Sequence, residues 1–114
     1  MKLLAAALCL GAVAMAAPSH ASDSQSGLVS IIYIMDDGKV LFNQAGVRTG
    51  PVPSCQGPGL EYRWAFNGAT PAGQAKLATL LSAWSMKKPI TIIGKGSCSD
   101  HPDTESVFWF RTDE

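Results

Sequence analysis

Apolar and polar positions split this chain into two unequal parts. Residues 3–17 form an uncharged apolar run, preceded by Met1 and Lys2 and followed by Pro18-Ser19-His20-Ala21. The run has the length of a secretory h-region and is short for a bilayer span. Ser19 and Ala21 are small residues at the two positions a signal peptidase inspects, with the cut after Ala21. The pattern therefore predicts a cleaved signal peptide over 1–21 and one domain over 22–114. Ala14-Met15-Ala16 offers a second cut, and no stop-transfer pattern follows to favour an uncleaved anchor. Cys9 follows Leu8, which is too large for a lipoprotein site, so Cys9 leaves with the leader.

Beyond the leader the periodicity changes repeatedly. Residues 22–27 are small and polar and read as a loose lead-in. Residues 28–35 (LVSIIYIM) are rich in β-branched side chains and predict a strand. Asp36-Asp37-Gly38 supplies a tight turn, since Asp and Gly tolerate positive φ, and residues 39–43 (KVLFN) return as the second strand. Residues 45–60 are crowded with Gly and Pro, which excludes helix and central strand and predicts a long surface loop. Residues 61–66 (EYRWAF) alternate around Tyr62, Trp64 and Phe66 as a third strand. Thr70 is a good N-cap, and Pro71 suits the first helical position because its missing N–H has no partner there. Leu77, Leu80, Leu81 and Trp84 then recur at helical spacing, an apolar stripe that places Trp84 in the core. Lys87 and Lys88 complement the helix C-terminus and Pro89 stops it. Residues 89–93 (PITII) and 106–111 (SVFWFR) predict the last two strands, separated by a turn region carrying Cys98.

The predicted order is β-β-β-α-β-β. Five strands with one helix between the third and fourth is the order of an OB-fold, a five-stranded Greek-key barrel. The alternative is an antiparallel sheet with one helix packed on a face. A half-buried antiparallel strand should alternate apolar and polar residues. The first strand does not: Leu28, Ile32 and Ile34 point one way, Val29, Ile31, Tyr33 and Met35 the other. In the last strand Val107 and Trp109 oppose Phe108 and Phe110. Both faces ask for cover, which predicts either helix and loop cover or a partner surface, a second copy of the chain among the candidates.

Removing 21 of 114 residues leaves 93, enough for one modest core. Of the three cysteines, Cys55 and Cys98 remain. In an oxidising compartment these two thiols have a single intramolecular pairing, and a disulfide between them is predicted. Closing that loop stabilises by about 4 kcal/mol in the chain-entropy model. Without Lys2, eight Lys and Arg face nine Asp and Glu. No basic stripe carries interleaved aromatics, which argues against nucleic acid. No later segment could span a membrane. Periplasmic residence or full secretion follows as the expected location.

Candidate chemistry is sparse. Asp100-His101-Pro102-Asp103-Thr104-Glu105 gathers three carboxylates and an imidazole, but at no metal-binding spacing, so it reads as a polar turn and no metal or cofactor is expected. Ser97, Ser99, His101 and Asp103 supply the residue types of a nucleophilic triad without a local motif. No catalytic residue is assigned. The aromatics are more suggestive. Tyr33, Tyr62, Trp64 and Trp109, with Val107, are the candidate binding or interface residues, because exposed rings beside polar groups stack on sugars or peptides.

Thr70-Pro71-Ala72-Gly73-Gln74, Leu80-Leu81-Ser82-Ala83, Ile90-Thr91-Ile92-Ile93-Gly94 and Cys98 resemble a group of small exported proteins of Gram-negative bacteria. More distantly, the layout over residues 62–111 is similar to the B subunits of A–B bacterial toxins, notably of the subtilase-cytotoxin type. That resemblance implies a secreted, disulfide-bonded, pentameric OB-fold that binds glycans, and assigns no sugar-binding residues. The expected function is an exported, non-enzymatic binding module for a glycan or a protein. The alternatives are a small hydrolase using residues 97–105, and a periplasmic inhibitor or envelope accessory protein presenting residues 45–60.

Overall fold

The computed structural model describes residues 21–114, so the predicted leader lies outside the described residues. The elements are β1 (Asp23–Ser24), β2 (Val29–Ile34), β3 (Lys39–Gln44), β4 (Arg48–Thr49), β5 (Arg63–Asn67), α1 (Pro71–Ser85), β6 (Ile90–Gly94) and β7 (Val107–Thr112). The five predicted strands are β2, β3, β5, β6 and β7, and the one helix lies where it was expected. They form two antiparallel sheets, ordered β2-β3-β5 and β4-β1-β6-β7. Among the described residues the ladders do not close into a barrel. Two isolated bridges link the sheets, Gly27 with Ile90 antiparallel and Ala65 with Ser106 parallel.

Two segments expected to be irregular carry strand. The lead-in is not loose: β1 lies between β4 and β6, with Asp23 opposite both Thr49 and Ile93. Ser24 is buried, and its Oγ accepts the Ile92 N–H at 3.0 Å. The Gly/Pro segment contributes β4. Its remaining course is held by the Cys55–Cys98 disulfide, Cα atoms 6.2 Å apart, and by Gly57 N–H donating to Asp103 O and Glu105 N–H donating to Gln56 Oε1. A long segment without regular structure keeps one shape because it is bonded to a second loop.

The β2–β3 hairpin turns as its sequence dictates. Gly38 adopts φ 85°, its N–H donates to Met35 O, and Met35 N–H donates to Lys39 O. The two-faced strands have a common cause. The β2–β3 register shifts between Val29 and Ile31, and the β6–β7 register shifts where Ile93 faces Trp109 and Gly94 faces Val107. Ser30 and Phe108 are thus extra residues, and a bulge flips the side-chain parity beyond it. Both strands consequently show one burial pattern: buried, exposed, exposed, half-buried, exposed, exposed. Val29 and Ile32 meet the core from β2, Val107 and Phe110 from β7.

The core lies between the sheets and α1. Phe42, Trp64, Phe66, Leu80, Ile90 and Ile92 are its larger members. The Phe42 and Phe66 rings meet edge to face at 6.0 Å, a favoured aromatic geometry. Helix α1 is capped as expected, Thr70 Oγ1 accepting the Gly73 N–H at 3.0 Å. It is rotated from the expected stripe: Gly73, Leu80 and Ala83 are buried, whereas Trp84 is 50% exposed. Gly73 sets this rotation, since a Cβ there would sit 1.6 Å from Asn67 O. Backbone contact at Gly73 draws that line of the helix inward and turns Trp84 out, correcting its expected core position.

Candidate binding surface

The five residues singled out in the sequence fall into two groups. Tyr33 and Trp109 are exposed on β2 and β7, and Tyr62 is 51% exposed just before β5. Trp64 and Val107 are buried, so the expectation that they face a partner is corrected. Tyr62 precedes the strand proper, so the alternation that seemed to join it to Trp64 and Phe66 breaks at β5's first residue. Trp64 is covered by the Arg48 guanidinium, 3.8 Å from its ring centroid, a cation–π contact in a desolvated place. Val107 lies on the core side of the β7 bulge.

Tyr62 borders an open pocket of about 310 Å³, lined also by Ser30, Asn43, Gln44 and Ala45. The β2 bulge brings Ser30 here, and the β3 terminus supplies Asn43 and Gln44. Gln44 is fully committed: its Nε2 donates to Gln25 O and Ile90 O at 2.8 Å, and its Oε1 accepts from Gly46 N. Asn43 differs. Its Oδ1 is buried and has no hydrogen-bond partner among the described residues. An unpaired buried acceptor costs about 1–3 kcal/mol, which sets Asn43 apart from the satisfied Gln44 beside it. Sequence reasoning missed Asn43 and Ser30, because a strand-end amide and a single serine carry no motif.

A second, apolar groove of about 390 Å³ runs between β2 and α1, lined by Ser30, Ile32, Ile34, Leu77, Leu81 and Trp84. β2 is the end strand of its sheet, and beyond the Gly27–Ile90 bridge its outer edge has no ladder partner among the described residues. Ile34 and Trp84 are both at least half exposed along this groove.

The polar loop before β7 does not assemble a triad or a metal site. His101 Nδ1 lies 2.8 Å from Asp103 Oδ1, an oxygen that also accepts from Arg63 and Thr104. Desolvation pushes the Asp103 carboxyl up, yet hydrogen bonds from Thr104 and His101, with the charge and hydrogen bond of Arg63, hold it below its ordinary value. Ser99 Oγ pairs with Ser106 Oγ at 3.0 Å rather than with His101. Among the described residues no group of three or more His, Cys, Asp or Glu is placed to hold a metal ion. The three carboxylates part company because Glu105 turns inward.

Glu105 is fully buried and forms an ion pair with Arg48 at 2.8 Å. Its Oε1 also accepts the Ser22 hydroxyl, and its Oε2 accepts Gly96 N–H at 3.0 Å and Ser22 N–H at 3.3 Å. Arg48 donates in addition to Glu61 O at 2.8 Å and Arg63 O at 2.9 Å. Burial lowers the Arg48 pKa, against the charge and hydrogen bond of Glu105. All of these partners are internal, so the pair reads as architecture that ties the Gly/Pro segment to β1 and β7.

Comparison of the chain with protein-family models, with curated proteins and with solved structures gave no match. The functional reading therefore rests on the surface itself. Among the described residues no helix is long and apolar enough to cross a membrane.

Proposed function

We propose that this protein is an exported binding module that takes a glycan in the pocket at Tyr62. The observation that carries the reading is the exposed Tyr62 ring beside a pocket lined by the polar side chains of Ser30 and Asn43. A sugar offers both halves of what such a pocket wants. Its C–H face stacks on Tyr62, and a hydroxyl donates to Asn43 while the Ser30 hydroxyl adapts to either role. The layout is OB-like in this reading. The bridges Gly27–Ile90 and Ala65–Ser106 continue the sheet order as β2-β3-β5-β7-β6 and back to β2, the cyclic neighbour order of a Greek-key barrel. The disulfide favours the periplasm or the exterior as its location. The similarity to toxin B subunits remains a proposal of the same kind.

A glycan array probed with the oxidised protein, followed by calorimetric titration of the best hit, tests the function. Binding should fall at least about tenfold in Tyr62→Ala and in Asn43→Ala, because each removes one anchor. An array without hits, or binding untouched by Tyr62→Ala, would overturn it.

A second reading, association with another copy of the chain, is favoured by the part of the β2 edge beyond the Gly27–Ile90 bridge and the apolar groove beside it. One small sugar pocket binds weakly, and several copies would raise avidity without new contacts. Light scattering decides this: a monomer at every concentration removes it, and Trp84→Asp should dissociate any oligomer found. The hydrolase alternative stands or falls on His101→Ala, which should abolish any activity that uses residues 97–105.

A further inference from the structure

We propose that the chain is cut between Ala21 and Ser22, and that the α-amino group so created becomes part of the buried ion pair, docked on Glu105 beside Arg48. The sequence places a peptidase cut immediately before Ser22, and the structure makes Ser22 one of the best-held residues in the molecule. It is fully buried, and every polar atom it owns is engaged with the interior. Its carbonyl accepts Gly94 N–H at 2.9 Å. Its hydroxyl donates to Glu105 Oε1 and accepts from Arg48 Nη1 at 2.9 Å. Its backbone nitrogen faces Glu105 Oε2 at 3.3 Å.

That last distance is long for a neutral amide donor and leaves room for a stronger one. Hydrolysis adds one water across the Ala21–Ser22 bond. The carbonyl carbon of Ala21 takes the water's oxygen and departs with the leader as a carboxylate. The nitrogen of Ser22 is released as an amine and is protonated at neutral pH. The resulting ammonium makes a charge-assisted bond where an amide made a weak one. Its positive charge is tolerable beside Arg48, because the two cations address different oxygens of Glu105. Arg48 is further neutralised by the two carbonyls it serves and by the Trp64 ring. Gly94 keeps the space open: a Cβ there would sit 1.9 Å from Glu105 Oε2 and 2.5 Å from Ser22 O. Mature folding thus senses the position of the cut, since one extra residue removes the charge from the end of β1.

The first test is the mass of the exported protein purified from the periplasm or medium. It should begin at Ser22; a product that keeps its leader, or starts elsewhere, overturns the proposal. The second compares urea unfolding of the oxidised protein starting at Ser22, starting at Ala21, and starting at Ser22 with an acetylated amino group. The folding equilibrium constant should fall about tenfold or more in both blocked forms, the loss expected for one charge-assisted bond at a partly buried site. In Glu105→Gln the three forms should become alike. If that variant does not fold, the acetylated form carries the test alone, because it keeps every side chain. Equal stability of the free and acetylated termini, or a difference that survives Glu105→Gln, would overturn the docking.

Discussion

At the scale of single residues, the strongest commitment is the Arg48–Glu105 pair. Two buried charges are costly to desolvate and are tolerated when their polar atoms are engaged, as are all three guanidinium nitrogens of Arg48 and both carboxylate oxygens of Glu105. Removing one partner strands the other. Arg48→Met should therefore cost about 3–5 kcal/mol in urea unfolding, and a loss below about 1 kcal/mol, the range of an exposed pair, would show that the pair holds little. A smaller effect of opposite sign is expected at Lys87. It sits at φ 53° after the C-cap Met86, while Lys88 N–H reaches back to Ala83 O at 2.9 Å. That left-handed position favours glycine, so Lys87→Gly should raise stability by up to about 1 kcal/mol. The Arg48–Glu105 pairing does not stand out in the sequence. Arg48 lies among glycines and prolines, Glu105 in an acidic turn, and only the fold brings them within 2.8 Å.

At the scale of elements, the helix gives the sharpest contrast between period and packing. A 3.6-residue repeat allows Leu80 and Leu81 equally into an apolar stripe, and the chain alone does not rank them. In the structure Leu80 is fully buried and Leu81 is 43% exposed. Leu80→Ala should cost about 2–5 kcal/mol by leaving a cavity, and Leu81→Ala within about 0.5 kcal/mol as a surface change. Similar losses at the two positions would show that the helix is turned otherwise. Thr70→Ala should cost about 1 kcal/mol through the lost cap. The bulged strands teach the same lesson from the sheet side. Apolar residues on both faces of β2 and β7 suggested two buried faces, but one extra residue moves the inward set across the strand. What remains outside, Ile31, Tyr33 and Ile34 on β2 and Phe108 and Trp109 on β7, is surface rather than core.

At the scale of the whole molecule, distant segments are joined by one covalent bond and several ionic clusters. Reducing Cys55–Cys98 opens a loop with a sequence separation of 43 and should cost up to about 4 kcal/mol; unfolding in urea with and without reductant measures it. Acid should loosen the carboxylate-centred joins. The Asp103 pKa is lowered in the folded state for the reasons given above. The Asp113 pKa is lowered by hydrogen bonds from Thr91 and Ser26, against desolvation, and by Arg111. For carboxylates depressed on folding, the stabilisation is complete above the unfolded pKa of about 4 and is lost as pH falls through the folded values. Melting temperature should therefore hold from neutrality to about pH 5 and drop below pH 4. Replacing Asp113 with Asn should flatten part of that drop, and an unchanged profile would exclude Asp113 as a contributor.

The chain by itself determined what depends on neighbours in sequence: strand segments with β-branched runs, a turn at Asp36-Asp37-Gly38, a helix opened by Thr70-Pro71, and, with Cys9 assigned to the expected leader, one pairing for the other two of its three cysteines. These are short-range or combinatorial facts, legible because propensity and capping act within a few residues. Only tertiary structure decided the rest. It placed β1 inside a sheet, because Ser22 and Ser24 find their hydrogen bonds far along the chain. It buried Trp64 and Val107 while leaving Trp84 and Trp109 outside, because bulges and the Gly73 contact reset which side faces in. It left the Asn43 Oδ1 without a partner among the described residues, and the absence of a bond is written nowhere in a sequence.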